Sequence, residues 1–253
     1  MFNEIIRKTT VTNGAVITGQ LDNVDFDNIL IEITQTPAGS DPVNATKEDF
    51  RKMVFNSKII TEESQTINIM EDCPLDVLID YTDMLGGLGS ENGDVTYFIA
   101  RVPHNMIRLR GQRQFKMSIN VGALKGATIN STITVKVVAV TVNDEEPDHH
   151  LVYSYRSLGA GSDTKFSNVV SLSVVDEDDT STNETLITFE DSTQLRPEHV
   201  DAWFWSHAIG QLSNDIKHAI VFSSKDYSSG MALGKNISVR PKQNTNYFAV
   251  QAV

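Results

Sequence analysis

Two runs of carboxylates are the residues of this sequence whose type and spacing best suit metal binding. One run is Asp144, Glu145, Glu146 and Asp148, and the other is Asp176, Glu177, Asp178 and Asp179. Calcium takes about 6–8 oxygen ligands, which flexible loops often supply as carboxylates. Neither run has the D-x-D-x-D-G spacing of an EF-hand loop. Each run is therefore either a solvated acidic loop or a structural calcium site that relieves repulsion between neighbouring domains or copies.

No catalytic signature accompanies these carboxylates. The sequence lacks G-x-S-x-G, a P-loop, H-E-x-x-H, C-x-x-C and the H-x-H of cupin metal sites. His149 and His150 are adjacent, so on a strand they point to opposite faces. His199 and His207 share a helix face, where packing is the default reading and metal ligation the alternative. A glycosidase carboxylate pair is defined by a separation in space that sequence does not supply. We therefore predict a protein that is not an enzyme and has no catalytic residues.

Charge and composition limit the possible partners. The 253 residues are 40% hydrophobic and 21% charged, with a formal net charge of −12, which predicts a folded core and a soluble, acidic surface. The only compact basic patch is Arg108, Arg110, Arg113 and Lys116. A solvated strand edge is its simpler interpretation, so no direct nucleic-acid binding is expected. The single cysteine, Cys73, and the absence of an apolar signal core in "MFNEIIRKTT" predict folding in a reducing compartment.

The elements that must position these side chains are mostly strands. Apolar residues alternate or run at strand length, separated by Gly-, Pro-, Asn- and Ser-rich turns, which favours sandwiches or barrels. The predicted strands lie at 28–34, 95–102, 115–121, 132–142, 151–158, 168–175, 185–189, 218–224 and 236–240.

Three segments break this pattern and predict helices. The first is 73–85, with Pro74 in the first turn and glycines after it; the second is 192–212; a weaker third is Lys47–Phe55. In the second helix, Trp203 and Phe204 are expected in the core. Trp205 either packs within its domain or anchors an interface with a neighbouring barrel or subunit.

The two halves of the chain share features in the same order, which predicts an internal duplication. "FDNILIEI" (26–33) matches "FSNVVSLS" (166–173), "TINIMED" (66–72) matches "TLITFED" (185–191), and "TVKVVAV" (134–140) matches "YFAVQAV" (247–253). The acidic segment 143–150 reads as a linker. We therefore predict an all-β fold of two tandem jelly-roll barrels, each with a short helix, over residues 1–142 and 151–253.

This arrangement resembles the double jelly-roll major capsid proteins of tailless icosahedral, membrane-containing bacteriophages, especially the small corticovirus type. The resemblance covers the whole chain. It is carried by the tandem β-halves, by the paired units "TINIMED…CPLDVLIDY" and "TLITFED…RPEHVDAWFW", and by the acidic segment between the halves.

The resemblance implies a virion protein, folded in the host cytoplasm, whose homotrimers form pseudo-hexagonal tiles of an icosahedral shell. Its implied partners are other copies, a penton or spike protein and an internal lipid membrane, with calcium as a stabilising ion. The segment "MFNEIIRKTT" reads either as a lipid-facing arm, with Arg7 and Lys8 near anionic headgroups, or as a simple first strand.

Two other functions stay open at the level of sequence. The first is a virion spike or lectin-like β-sandwich that binds a carbohydrate or a receptor through exposed aromatic residues, such as Tyr153, Tyr155 or Tyr227. The second is a β-sandwich hydrolase that depends on a single Asp or Glu.

Overall fold

The structure of the chain is a computed structural model. It describes residues 2–36, 38, 43–84, 90–92, 95–125, 130–142, 150–175, 185–192, 194–195, 219–223, 231–232 and 236–253. Within these ranges the chain forms eighteen strands, one α-helix and one 3-10 turn. None of the helical segments in the same ranges is long and apolar enough to cross a membrane. The chain divides into two compact units, Met1–Leu151 and Val152–Val253.

The first unit is a jelly roll. Its described strands are β1 (Phe2–Thr10), β2 (Val16–Asp22), β3 (Asp25–Thr36), β4 (Met53–Ile60), β5 (Thr66–Pro74), β6 (Ser90–Asn92), β7 (Val95–Arg108), β8 (Gln114–Val121) and β9 (Thr132–Val140). They form one sheet in the order β1-β9-β3-β7-β6 and another in the order β2-β8-β4-β5. Apart from the short β6, this is the pair of four-stranded sheets of an eight-stranded jelly roll.

The core of the first unit forms where the inner faces of these two sheets meet. Alternate residues of β4 and β8 are buried, as expected for strands with one face toward a core. Phe26 of β3 and Phe115 of β8 are fully buried and pack edge to face, with ring centroids 5.2 Å apart. At the β1–β2 edge, a Cβ on Gly19 would overlap the carbonyl oxygen of Ile5. Glycine is needed there because the two strands approach so closely.

The second unit repeats this design. Its described strands are β10 (Leu151–Leu158), β11 (Thr164–Phe166), β12 (Val169–Val175), β13 (Thr185–Phe189), β14 (Gln194–Leu195), β15 (Ala219–Ser223), β16 (Met231–Ala232), β17 (Ile237–Pro241) and β18 (Thr245–Ala252). Their orders are β10-β18-β12-β15-β16 and β11-β17-β13-β14. Residues such as Phe166, Leu172, Ile187, Val239 and Tyr247 form one buried cluster between these two sheets.

The two units share strand register as well as strand order. If Phe26 is aligned with Phe166, then Ile31 aligns with Ser171. Ile31 pairs with Val137 in the first unit, and Ser171 pairs with Val250 in the second. Aligning 134–140 with 247–253 places Val137 on Val250, so the two sequence matches together predict this pairing. The all-β architecture is confirmed, and the two repeat matches correctly identify β3 with β12 and β9 with β18, although Phe166 itself lies in β11.

The third repeat match is wrong. "TINIMED" lies in β5, whereas "TLITFED" begins with β13, the strand that corresponds to β4. The counterpart of β5 is the two-residue β14. The error has a physical cause: alternating Ile, Leu and Thr residues suit any half-buried strand, so they do not identify its position in a sheet.

The predicted helices have mixed outcomes. The helix predicted at 73–85 is confirmed as α1 (Leu75–Met84). The prediction for Lys47–Phe55 is wrong beyond the 3-10 turn Lys47–Phe50, because β4 begins at Met53 and buries every second residue. The helix predicted at 192–212 is wrong at its start, where Gln194–Leu195 pairs with β13. Its remainder, including Trp203, Phe204 and Trp205, lies outside the described residues.

Candidate functional site

All eight carboxylates predicted as calcium ligands lie outside the described residues. They are Asp144, Glu145, Glu146, Asp148, Asp176, Glu177, Asp178 and Asp179. Among the residues that the structure does describe, no group of three or more His, Cys, Asp or Glu side chains could hold a metal ion. The calcium sites therefore stay a prediction.

His104 lies in the core of the first unit rather than in a reactive cleft. It is fully buried on β7, its Nδ1 is 3.3 Å from the carbonyl oxygen of Leu151, and its ring lies edge-on to Phe26 with centroids 6.5 Å apart. Burial is the main reason that the pKa of His104 falls to about 4, and a charge on His150 acts in the same direction. A neutral imidazole at this position serves packing. The histidines at 149, 199, 207 and 218 lie outside the described residues.

The only cysteine is poorly placed for nucleophilic chemistry. Cys73 is fully buried at the end of β5, and its thiol donates to the carbonyl oxygen of Glu71, with Sγ 3.4 Å from that oxygen. Burial raises the pKa of the Cys73 thiol to about 12. The thiolate, which is the reactive form, is therefore scarce near neutral pH.

Two ion pairs fix helix α1 to the segment before β4. The Nε of Arg51 lies 2.6 Å from Oδ2 of Asp76, and Lys47 pairs with Asp80. The pKa of Asp76 is raised because burial disfavours its charged form, and the hydrogen bond from Arg51 opposes that shift. The arrangement holds a loop and a helix together, since a buried carboxylate is tolerated only when it is paired.

Of the three tyrosines suggested for carbohydrate binding, the two that the structure describes do not form an exposed platform. Tyr153 is 2% exposed and stacks on Phe248, with ring centroids 6.0 Å apart. Tyr155 is half-buried, and Tyr227 lies outside the described residues. The residues seen here therefore give the lectin-like alternative no support.

A polar concavity of about 760 Å³ covers the outer face of the sheet β2-β8-β4-β5. Its lining includes Thr18, Gln20, Asn56, Lys58, Asn68 and Lys116, and we call it the lysine groove. Lys58 and Lys116 stand directly opposite each other on neighbouring strands. Lys116 therefore lies in the lysine groove, whereas Arg108 and Arg110, which are close to it in the sequence, line a different concavity.

Arg108 and Arg110 belong to one end of the first unit, which we call the arginine end. Arg108 and Arg110 line a second concavity of about 570 Å³ there, and Nη2 of Arg110 lies 3.2 Å from Oδ2 of Asp25. Two exposed apolar residues lie near this end: Phe2, which is 72% exposed, and Val142, which is 59% exposed. Cationic and apolar side chains thus occur together at one end of the sandwich.

Sequence reasoning missed the lysine groove because its members come from four strands. Lys58 and Lys116 each occupy a polar position of an alternating strand, which is a visible signal. Nothing in the order of residues shows that these two positions face each other. That knowledge requires the register between β4 and β8.

No protein-family model and no curated protein matches the chain. It is similar in structure to the major capsid protein of STIV, with 9% identity, a TM-score of 0.65, and coverage of 99% of this chain and 95% of that one. It is also similar to a chain in the atomic structure of Sulfolobus turreted icosahedral virus, with 11% identity, a TM-score of 0.60, and coverage of 100% and 89%.

A third similar structure is the major capsid protein of bacteriophage PM2. The identity is 10%, the TM-score is 0.50, and the similarity covers 100% of this chain and 97% of that chain. Such low identity shows the fold alone. Since each match extends over both units, the chain has the double jelly-roll fold that the sequence predicted.

Proposed function

We propose that this chain is a viral major capsid protein that works by self-assembly. The observation that carries the proposal is the similarity to capsid proteins over nearly the whole length of both chains, including both jelly rolls. The repeated strand order and register support it, because they give one chain two closely related building blocks. The proposed location is the virion, after folding in the host cytoplasm.

Two related barrels per chain suggest how the tile forms. A cyclic trimer of identical chains has threefold symmetry. If each chain contributes two barrels of the same design, six barrels surround the axis and the outline is pseudo-hexagonal. Such tiles cover a curved surface by repeating one weak contact many times, and multivalency makes the sum strong. Catalysis is not part of this function.

An internal lipid membrane is a proposed partner, and the arginine end is the part of the described structure that suits it. Arg108 and Arg110 are cationic, and Phe2 and Val142 expose apolar surface. Anionic headgroups attract basic residues by about 1 kcal/mol each. The first residues form strand β1, so the simple-strand reading of "MFNEIIRKTT" is confirmed. Flotation with anionic vesicles, compared with neutral vesicles, measures this binding.

The oligomeric state tests the proposed function most directly. The chain should form a trimer, so native mass spectrometry at micromolar concentration should detect three copies of the 28.0 kDa chain. Electron microscopy of the same sample should show particles with a roughly hexagonal outline. A protein that stays monomeric at all concentrations tested would contradict the proposal.

We propose calcium as a stabilising ion and a penton or spike protein as a further partner. The support for calcium is the two acidic runs, 144–148 and 176–179, in a chain of net charge −12. Melting curves with calcium should lie several degrees above those with a chelator, whereas magnesium should have a smaller effect. Identical curves in all three conditions would remove calcium and leave the capsid proposal intact.

A further inference from the structure

The lysine groove contains a straight row of polar side chains across four strands. Gln20 of β2 is opposite Lys116 of β8, Lys116 is opposite Lys58 of β4, and Lys58 is opposite Asn68 of β5. Strands lie about 4.8 Å apart, so the row is about 14 Å long. Each member offers a hydrogen-bond donor, and the two central members are cations.

The central lysine pair is unfavourable within the part of the chain that the structure describes. Like charges directly opposite each other on neighbouring strands destabilise a sheet. Neither Lys58 nor Lys116 forms an ion pair with any residue in the described part of the chain. An anionic group placed over the row would relieve this repulsion.

The opposite charge is present on one side of the groove. Glu71 and Asp72 line the side formed by β5. The strand is irregular there: Asp72 has a φ of 52°, and its backbone N–H donates to Oδ1 of Asn56 over 2.9 Å. Carboxylates on a ligand would be repelled from this side and attracted to the lysine row, which restricts where the ligand binds.

The corresponding strands of the second unit line a smaller concavity, of about 310 Å³, with different side chains. Its equivalent row is Lys165, Ser238, Thr188 and Gln194. That row contains one cation at its end rather than two at its centre. Among the described residues, the lysine pair of the first unit therefore has no counterpart in the equivalent row of the second.

We propose that the lysine groove binds an acidic segment of a second copy of this chain. The proposal rests on the proposed function, because it names one contact through which copies associate. Charge complementarity identifies the occupant: the chain has net charge −12 and carries two carboxylate runs, 144–148 and 176–179. In extended form these runs span about 10 to 13 Å, close to the length of the row. The volume of about 760 Å³ is also sufficient for a short peptide.

The first experiment measures self-association of charge variants. In the double variant Lys58→Glu/Lys116→Glu, the association constant from sedimentation at low salt should fall at least about tenfold. The variant Lys58→Arg/Lys116→Arg should stay close to wild type. The control variant Lys8→Glu/Lys165→Glu changes net charge equally at exposed sites outside the groove. An equal loss in that control would assign the effect to net charge and overturn the proposal.

A second experiment separates this contact from the capsid proposal. Labelled peptides of residues 142–150 and 174–181 are titrated with the full chain, and binding is followed by fluorescence anisotropy. At least one peptide should bind, lose affinity with added salt, and bind at least about tenfold more weakly to Lys58→Gln/Lys116→Gln. That variant should melt no lower than wild type, because it removes the lysine repulsion.

The outcomes distinguish the two proposals. A wild-type chain that self-associates, with association unchanged by Lys58→Glu/Lys116→Glu and with no peptide binding, overturns the groove assignment alone. A wild-type chain that stays monomeric and still binds a peptide contradicts the proposed function and supports the groove. Binding of a neutral peptide with the acidic residues amidated, as strongly as of the acidic one, also overturns the groove proposal.

Discussion

Acid should destabilise the first unit through the fully buried His104. Its pKa in the folded chain is about 4, compared with an ordinary value of 6.5. The unfolded chain therefore takes up a proton at a higher pH than the folded chain does, and stability falls as pH decreases between these values. Above pH 6.5 this contribution is fully present. Each pKa unit corresponds to about 1.4 kcal/mol, so the free energy of unfolding should fall by about 3 kcal/mol across this range.

A variant comparison isolates this effect from the titration of carboxylates. Urea unfolding at several pH values between 7 and 4.5 gives the free energy of unfolding for wild type and for His104→Asn. Asparagine keeps a donor for the carbonyl oxygen of Leu151 but does not titrate. We expect the variant to be less stable than wild type at pH 7, because it loses the contact with Phe26, and the difference to shrink as pH falls.

Two controls make the result interpretable. His104→Phe also lacks titration and keeps an aromatic ring, so its pH profile should match that of His104→Asn. His150→Asn removes only the smallest of the causes that shift the pKa of His104, so the comparison of His104 with His104→Asn should give nearly the same pH dependence in that background. Parallel stability curves for wild type and both His104 variants from pH 7 to 4.5 would refute the reasoning.

Three further results are expected. Cys73 should resist a thiol reagent in the folded chain and react after unfolding in guanidinium, because burial disfavours its thiolate. Rapid labelling of the folded protein would contradict this expectation. Tyr247→Phe should lower the free energy of unfolding by about 1–3 kcal/mol, because the buried hydroxyl of Thr185 loses the hydrogen-bond partner that lies 2.9 Å away. Adding Thr185→Val should restore part of this loss, whereas additive effects of the two substitutions would argue against the hydrogen bond. Arg51→Met should lower the free energy of unfolding by about 3 kcal/mol or more, because the Asp76 carboxylate stays buried without its cation. Adding Asp76→Asn should recover stability, whereas an Arg51→Met variant as stable as wild type would show that the ion pair contributes little.

Much of the fold was predictable because strand patterning depends on local physics. In β4 and β8, alternation of apolar and polar residues matched alternation of buried and exposed positions. The sequence match of 26–33 with 166–173 identified the equivalent strands β3 and β12, since Ile31 and Ser171 have equivalent partners in the register, Val137 and Val250. Local signals also located α1, where Pro74 precedes a helix with buried apolar residues.

The errors occurred where tertiary pairing decides the outcome. The segment Lys47–Phe55 has a helical pattern, yet β4 begins at Met53 because its residues complete a sheet. The match of 66–72 with 185–191 failed because two strands with similar side chains occupy different positions. The pairing of Lys58 with Lys116 was also missed, because it depends on the register between two strands that are far apart in the sequence. The eight carboxylates predicted to bind calcium lie outside the described residues, so that prediction is untested.

The two sandwiches share their hydrogen-bonding scheme but not their outer chemistry. On corresponding strands, one presents Lys116 beside Lys58, and the other presents Ser238 beside Thr188. An acidic partner would therefore meet two lysines on one sandwich and none at the matching pair of positions on the other. Two copies of one fold within a chain are thus not interchangeable, because a few outward side chains are enough to give them different binding preferences.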